Sequence, residues 1–592
     1  MGRLRALVSL LLALTLSLAC RLPATAQAAG AQGKSLRILA TSDLHGKFVP
    51  WDYALNAESA SGSVVQLATA IAQYRTDDTL LVDAGDTIRD NCADIFVGDD
   101  DVHPMVRALN ALNYDVWVTG NHEYNYGMDV VKKTIADMNA KVLTGNVYDE
   151  NDEAIADGCD IFDVDGVRVA VIGMVTPNIT RWDAVNLAEC KVTDPLEETR
   201  KIISALQGRY DVLVGVFHMG INNEYGLANS GVADILNACP EFDVMVSSHE
   251  HRLIPSDDIN GVLVVQNKSQ AQTMAVIDLA LEKDGDGWKV TGRTAESVAI
   301  ADFEPDPAIT ELLSAYDARA REDAEQVVGR LVGGPLAPES GIADIPAAQI
   351  QDTALIDLIN DVQMYYTGAP VSSAALFVAS ANLYPGDIRK CDMALVYKYT
   401  NTLYKLHMTG AQLKKYMEWS ANYYQTYRPG DLTIAFNPDV RAYNYDMFEG
   451  VNYDVNIANE SGRRIENLTW PDGTPVRDDD AFDFAVNNYR ATSHLLVPGK
   501  IFGADDMPVL LEMDVRGDIG GIRELIRDYI VGVKGGVLRP ECDGNWRITG
   551  NDWDEALHRK AVEMLAAGAL TLPSSEDGRT PNVRAVTEDD VK

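Results

Sequence analysis

A chain of 592 residues is too long for one hydrophobic core, because single cores stop growing at roughly 250 to 300 residues, so at least two large domains are expected. Its 46% hydrophobic and 23% charged residues are those of an ordinary globular protein. The imbalance of 50 basic against 88 acidic residues gives a formal charge of −38, which excludes non-specific binding to nucleic acid or to an anionic membrane. A phosphorylated substrate needs a strong local positive centre to approach against that field, and a bound metal would supply one.

In chain order, the first segment carries Arg3 and Arg5, an apolar run from Ala6 to Ala19, and an A-x-A site at Ala24-Thr25-Ala26. This pattern predicts a secretory signal peptide over residues 1–26; the apolar run is shorter than the roughly 20 residues of a spanning helix. Ser17-Leu18-Ala19-Cys20 offers lipoprotein processing as an alternative. Either reading predicts an exported protein, periplasmic or extracellular, without stable insertion in a membrane. Loss of the leader leaves Cys92, Cys159, Cys190, Cys239, Cys391 and Cys542, none at zinc-finger spacing, and Cys159 with Cys190 is the one pair put forward as a disulfide.

From Leu36 to about Ala301 short β-rich apolar runs alternate with amphipathic helical stretches, which predicts an α/β domain over residues 35–303. The strands are read at "LRILATS", "TLLVDAG", "DVWVTG", "RVAVIGM", "DVLVGVF", "DVMVSS" and "VLVVQN", and "SVVQLATAIAQYR" has helical spacing. The charged stretch Asp306 to Val332 follows Pro305 and predicts a connecting helix over 304–335. Past "GGPLAPESG" a second, α+β domain is expected over 340–550, with helices at "TALIDLINDVQMYYTG" and "TGAQLKKYMEWSANYY" and strands at "MALVYKY" and "DFAVNN". Residues 551–592 read as one short helix and a mobile, acidic, Pro-punctuated end.

Metal-type donors gather at the C-terminal ends of five of these strands. They are Asp43 and His45; Asp86; Asn121 and His122; His218; and His249 with His251. In an open α/β sheet that edge is where ligands bind. An extended chain would put Asp43 and His45, two apart, on one face. Taken alone, an aspartate after a strand is an ordinary turn residue and His218 a satisfied buried histidine. The grouping argues otherwise, since five of nine histidines fall at strand ends while His103, His407, His494 and His558 do not.

The set resembles the calcineurin-like metallophosphoesterases, whose pattern is D-x-H, G-D, G-N-H-E, H and G-H-x-H. All five blocks are present in order, with Ser248 where the last block has glycine. The resemblance implies an α/β four-layer sandwich, two β-sheets flanked by helices, joined by a helix to the second domain. It also implies two divalent metal ions: Asp43, His45, Asp86 and His251 around one, and Asp86, Asn121, His218 and His249 around the other. Asp86 would bridge them, and the division of individual histidines between the ions is open. Such a pair stabilises an in-line displacement at phosphorus, and mixed N and O donors suit Zn, Mn, Fe or Co without choosing among them. His122 would be free of metal and would serve the departing oxygen.

The blocks "KYTNTLYKLHMTGAQLKKYMEW", "GVNYDVN" and "FAVNNYRA" resemble the C-terminal substrate-binding domain of exported 5′-nucleotidases. That family clamps a nucleobase between two aromatic rings, and the matching positions are Tyr399 and Tyr489. The usual N-H-E-F-D reads "NHEYNYG", which is similar to the 2′,3′-cyclic-nucleotide 2′-phosphodiesterase/3′-nucleotidase branch. The function implied is opening of 2′,3′-cyclic nucleotides to 3′-nucleotides followed by release of the 3′-phosphate. A 5′-nucleotidase or UDP-sugar hydrolase on the same scaffold is the alternative, and a non-catalytic nucleotide-binding surface protein a third reading. Partners expected are small-molecule nucleotides and no polymeric nucleic acid, with the chain a monomer. Asn125 stands where that motif has aspartate; it can orient His122 but cannot charge-stabilise it. A strained cyclic phosphate, whose leaving oxygen needs less protonation, would suit that site.

Overall fold

The computed structural model describes residues 33–342, 345–378, 380–399, 401–517, 519–575 and 580–592. The leader expected at residues 1–26 lies outside them. The described residues divide into two compact units: unit 1 holds those within 33–49, 61–89 and 96–311, and unit 2 those within 50–60, 90–95 and 312–592.

Unit 1 contains β1 (Gly33–Thr41), β2 (Thr79–Asp83), β3 (Val116–Trp117), β4 (Lys141–Val142), β5 (Cys159–Val164), β6 (Val167–Val175), β7 (Val212–His218), β8 (Val244–Ser247), β9 (Ile254–Ile259), β10 (Val262–Gln266), β11 (Thr273–Asp284) and β12 (Gly287–Ala299). They form two six-stranded sheets, ordered β12-β11-β1-β2-β3-β4 and β9-β10-β8-β7-β6-β5. Alternate residues such as Leu36, Ile38 and Ala40 on β1, and Val212, Val214 and Val216 on β7, meet in one buried cluster, so the sheets pack face to face. The other face of the second sheet, with Ile172, Leu213 and Met245, buries Leu196, Ile203 and Ile235 of helices Pro195–Leu206 and Val232–Ala238. Both sheets are mixed. Their central strands run parallel in a register that aligns Thr41 with Asp83, Asp83 with Trp117, and His218 with Val175. The strands carrying the donors therefore end level with their neighbours.

Helix α1 (Pro307–Ala324) follows, and the unit boundary falls inside it. Sequence spacing had it run to Val332; instead it stops, and Val327–Leu331 becomes β13, antiparallel to β14 (Gly386–Arg389) and parallel to Val537–Leu538. Val327 and Val328 favour strand, and the distant partners complete it: a Cβ on Gly329 would sit 3.0 Å from the Gly536 carbonyl oxygen, an approach only glycine makes comfortably. In unit 2 the central sheet is ordered Asp446–Glu449, Val371–Ala375, Ala481–Asn487, Leu403–Thr409 and Val509–Glu512. Helix Gly410–Ala421 begins with a capping box between Thr409 and Gln412.

Three further expectations are corrected. "MALVYKY" is no strand: Asp392 accepts the Arg389 N–H at 2.7 Å, and Met393–Val396 forms a buried helical turn. A short apolar run does not distinguish the two. The acidic C-terminal end docks on its own unit, with Val586 and Val591 buried and Leu432 N donating to the Val586 carbonyl at 2.7 Å. Finally, all six described cysteines are free thiols. Cys159 on β5 packs with Ile161 and Ile202, whereas Cys190 packs with Tyr124 and Leu187, and these are separate clusters.

Candidate functional site

Beyond Thr41 the chain does not stay extended. Asp43 and His45 have φ of 52° and 44°, Asp86 58°, and His249 and His251 74° and 54°. Non-glycine residues in this region store strain of about 1 to 3 kcal/mol each. Their side chains converge through this left-handed backbone rather than through strand alternation. The loop after β1 is zipped to the loop after β2 by Asp43 N to Gly85 O at 2.8 Å, His45 N to Asp86 O at 2.9 Å and Gly46 N to Thr87 O at 3.0 Å. Gly120, three residues past β3, is pressed against this loop: a Cβ there would lie 2.2 Å from Asp86 Oδ1.

Two groups of side chains result, sharing Asp86. Asp43, His45, Asp86 and His251 bring their ligand atoms within 4.8 Å of one another, and so do Asp86, His218 and His249. Asp86 Oδ2 is buried without a hydrogen-bond donor, yet imidazole nitrogens of His218, His45 and His122 stand 3.2, 3.7 and 3.9 Å from it. Asn121 Oδ1 lies 3.0 Å from His218 Nε2. An acceptor with no donor, ringed by nitrogens, fits a cation between them. Burial alone would raise the Asp86 carboxyl, but the charges of His218 and His122 hold it well below the usual range. The same Asp86 charge, against burial, lifts His218 to about 10. Asp43 is likewise held low against burial by its bond to His251.

Several residues support the site in ways that the sequence does not reveal. Glu123 is fully buried and accepts the backbone N–H groups of Gly120, Thr87 and Asp86 at 2.6, 2.7 and 3.0 Å, so it fixes the loops of both strands. Glu224 Oε2 is 3.2 Å from His249 Nε2. Ser248, in place of glycine, donates its hydroxyl to Phe217 O at 3.1 Å and lies 3.2 Å from His218 Nδ1. Asp183 accepts from Asn125 Nδ2 with both oxygens, each at 3.1 Å. That orientation leaves Asn125 Oδ1 facing His122 Nδ1 at 2.7 Å, with Arg89 also donating to it. Arg89 Nη1 also lies 3.1 Å from His122 Nδ1, so the imidazole and the guanidinium meet at the Asn125 oxygen while Nε2 faces the Asp86 side.

Of the remaining histidines, His103 caps helix Pro104–Ala111 by accepting the Met105 N–H, His407 pairs with Asp483, and His558 stacks on Trp553. Tyr399 and Tyr489 lie in unit 2 and are 45% and 40% exposed, unlike the buried Tyr397 and Tyr416 nearby in sequence. Tyr399 packs edge-on against Phe377, and Tyr489 against His494.

Residues 36–253 match the calcineurin-like phosphoesterase domain and residues 330–497 the 5′-nucleotidase C-terminal domain. The chain thus carries a calcineurin-like phosphoesterase domain followed by a 5′-nucleotidase C-terminal domain, the arrangement of a class of metal-dependent phosphoesterases. Within that class it is similar to the trifunctional nucleotide phosphoesterase protein of Bacillus subtilis, 28% identical over 89% of this chain, which spans 40% of that protein's length. It is also similar to the 2′,3′-cyclic-nucleotide 2′-phosphodiesterase/3′-nucleotidase of Salmonella typhimurium, 26% identical over 88% of this chain and 90% of the other. Among solved structures a Staphylococcus aureus protein described as a 5′-nucleotidase shares the fold, with a TM-score of 0.60 and 21% identity over 87% of this chain and 100% of that one. Among the described residues no helix is long and apolar enough to cross a membrane.

Proposed function

We propose that this chain is an exported metal-dependent phosphohydrolase that opens 2′,3′-cyclic nucleotides to 3′-nucleotides and then releases phosphate from them. The observation that carries the reading is the buried, donorless Asp86 Oδ2 at the junction of two ligand groups drawn from the ends of both sheets. Asp43, His45, Asp86 and His251 would hold one divalent ion, and Asp86, Asn121, His218 and His249 a second. When bound, the ions supply charge stabilisation at the phosphoryl oxygens and a nucleophile at neutral pH.

The chain's own residues do the rest. The left-handed turns at Asp43, His45 and Asp86 hold the ligands in place before substrate arrives. His122 Nε2 delivers a proton to the departing ribose oxygen as the P–O2′ bond breaks, and Asn125 Oδ1, facing Nδ1, orients the ring. Asp183 acts one step back, fixing which way the Asn125 amide points. Tyr399 and Tyr489 take the nucleobase by stacking, which accepts any base through its π-face. The preference for a cyclic substrate is supported by Asn125 in place of a carboxylate beside His122, and by the Salmonella relative's name.

Phosphate release from 2′,3′-cyclic AMP, 3′-AMP and 5′-AMP, measured side by side with the metal-loaded protein, tests the assignment. Cyclic substrate and 3′-AMP should be consumed in sequence, with 5′-AMP slow. Preferential hydrolysis of 5′-AMP would instead make the chain a 5′-nucleotidase.

A further inference from the structure

Unit 2 contains an acidic cluster that the proposed activity does not use. Asp357 sits in the first turn of helix Ala354–Thr367, packed against the central sheet of that unit. It is only 7% exposed, and both of its carboxylate oxygens are buried without any hydrogen-bond partner. One of its oxygens lies within 4.8 Å of ligand atoms of Asp352 and Cys542, and likewise of Glu449 and Asp543. Two overlapping groups therefore share this one residue.

The donors that reach the other carboxylates are neutral. Asp352 accepts from Thr353 N at 2.9 Å and Gly544 N at 3.0 Å; Asp543 accepts from Asn545 N at 3.0 Å. Glu449 accepts from Gly450 N at 3.1 Å and Asn545 Nδ2 at 3.2 Å. Asn545 also gives its amide hydrogens to the Phe448 and Val451 carbonyls, which fixes its orientation and leaves Oδ1 buried with no donor. A buried carboxylate with no partner, facing further carboxylates, is strongly destabilising unless a proton or a cation lies among them. Cys542 and Asp543 on the rim are exposed, so an ion can enter from solvent.

The structure assigns to this place a cation site for a hard divalent ion, calcium in chemical class, with Asp357, Glu449 and Asp543 as its oxygen ligands. Calcium takes several carboxylate and carbonyl oxygens in flexible geometry, whereas magnesium demands a near-ideal octahedron and keeps its waters. The Cys542 thiol donates to Asp352 Oδ2 at 3.4 Å and acts as a hydrogen-bond donor, so the donor set stays one of oxygens. The ion ties the start of helix Ala354–Thr367 to the end of strand Asp446–Glu449 and to the loop before Trp546–Thr549. It therefore clamps three chain segments far apart in sequence and stabilises unit 2. No residue of the proposed phosphoesterase site takes part.

Calcium binding to chelator-treated full-length protein, followed by equilibrium dialysis with metal counting and by thermal melts, tests the assignment. An Asp86→Ala chain, which lacks the bridging carboxylate of unit 1, should still bind one calcium per chain, and its melting temperature should rise with calcium. Asp357→Asn should abolish both effects, and in calcium-free buffer it should melt higher than the parent, because a repelling charge has gone. Asp543→Asn, on the exposed rim where folding is not at stake, should lower calcium affinity about tenfold or more. Absence of calcium binding to the Asp86→Ala chain overturns the proposal, as does binding that neither Asp357→Asn nor Asp543→Asn weakens. Stability that follows pH and ignores calcium would identify a shared proton in place of the ion, and would equally overturn it.

Discussion

Replacing Asn125 by aspartate sets a carboxylate where an amide now bridges His122 and Asp183. Asn125 Nδ2 is 3.1 Å from each Asp183 oxygen, so Asn125→Asp removes two hydrogen bonds and leaves two carboxylates nearly in contact. At about 4 Å and an effective dielectric of about 20, that repulsion is roughly 4 kcal/mol. Arg89, which donates to position 125, offsets about 2 kcal/mol of it as a charge-assisted bond. The residue of about 2 kcal/mol corresponds to roughly 30-fold in rate. The single variant is therefore expected to lose roughly 30-fold in kcat/KM on 2′,3′-cyclic AMP, as His122 loses its fixed partner. Adding Asp183→Asn in the same chain removes one of the two charges and with it the repulsion, and should recover most of the lost activity. The recovered double variant should also show a higher ratio of 5′-AMP to cyclic AMP turnover, since a carboxylate at 125 favours the charged imidazolium that a poorer leaving group needs. Initial-rate kinetics on both substrates with metal-loaded protein decide the matter. If the single and double variants are equally active, positions 125 and 183 are not coupled, and His122 is held by something else.

Asp86→Ala should abolish metal binding at the unit 1 site and turnover together, and chelation should stop turnover reversibly; full activity in metal-free protein would contradict the dinuclear reading. Tyr399→Ala or Tyr489→Ala should cost about 1 to 3 kcal/mol of nucleotide binding while leaving hydrolysis of bis(p-nitrophenyl) phosphate, which has no base, almost unchanged. Equal losses on both substrates would give the tyrosines a folding role. Burial, with Arg490 and Lys500 beside it, pushes the His494 imidazole from 6.5 down to about 4. The unfolded chain takes up this proton first, so its contribution to stability is intact above pH 6.5 and is lost as pH falls toward 4. His494→Gln should flatten that part of the stability curve in urea melts, and an unaltered slope refutes the attribution.

The donors at the five strand ends were legible because each follows an apolar run that periodicity alone marks as a strand. The way they meet was not. Asp43 and His45 look like an alternating pair, and only the left-handed backbone at both positions shows that a turn, not a strand face, aims them. Asp183, Arg89 and Glu224 approach the site from loops where an isolated charged residue carries no period and no motif. Glu123 was visible as part of "NHE", but its work on three backbone N–H groups is a property of the folded loops. The same limit explains the end of α1: "VVGRL" reads as more helix until strands from residues 386 and 537 arrive to pair with it. The docked tail fails for a like reason, since Val586 and Val591 find their pockets only in three dimensions.

The contact between Gly85 and Gly120 bears on how this site can change over generations. A methyl at Gly85 would stand 2.3 Å from the Gly120 nitrogen, and one at Gly120 would strike Asp86. Neither position can accept a larger residue, because a side chain at Gly85 runs into the Gly120 backbone and one at Gly120 runs into Asp86. The backbone beneath Asp86 and Asn121 is thus closed to gradual drift. New substrate preferences on this scaffold must come from exchanges around it, such as residue 125 or the exposed tyrosines, while the ends of β2 and β3 stay where they are.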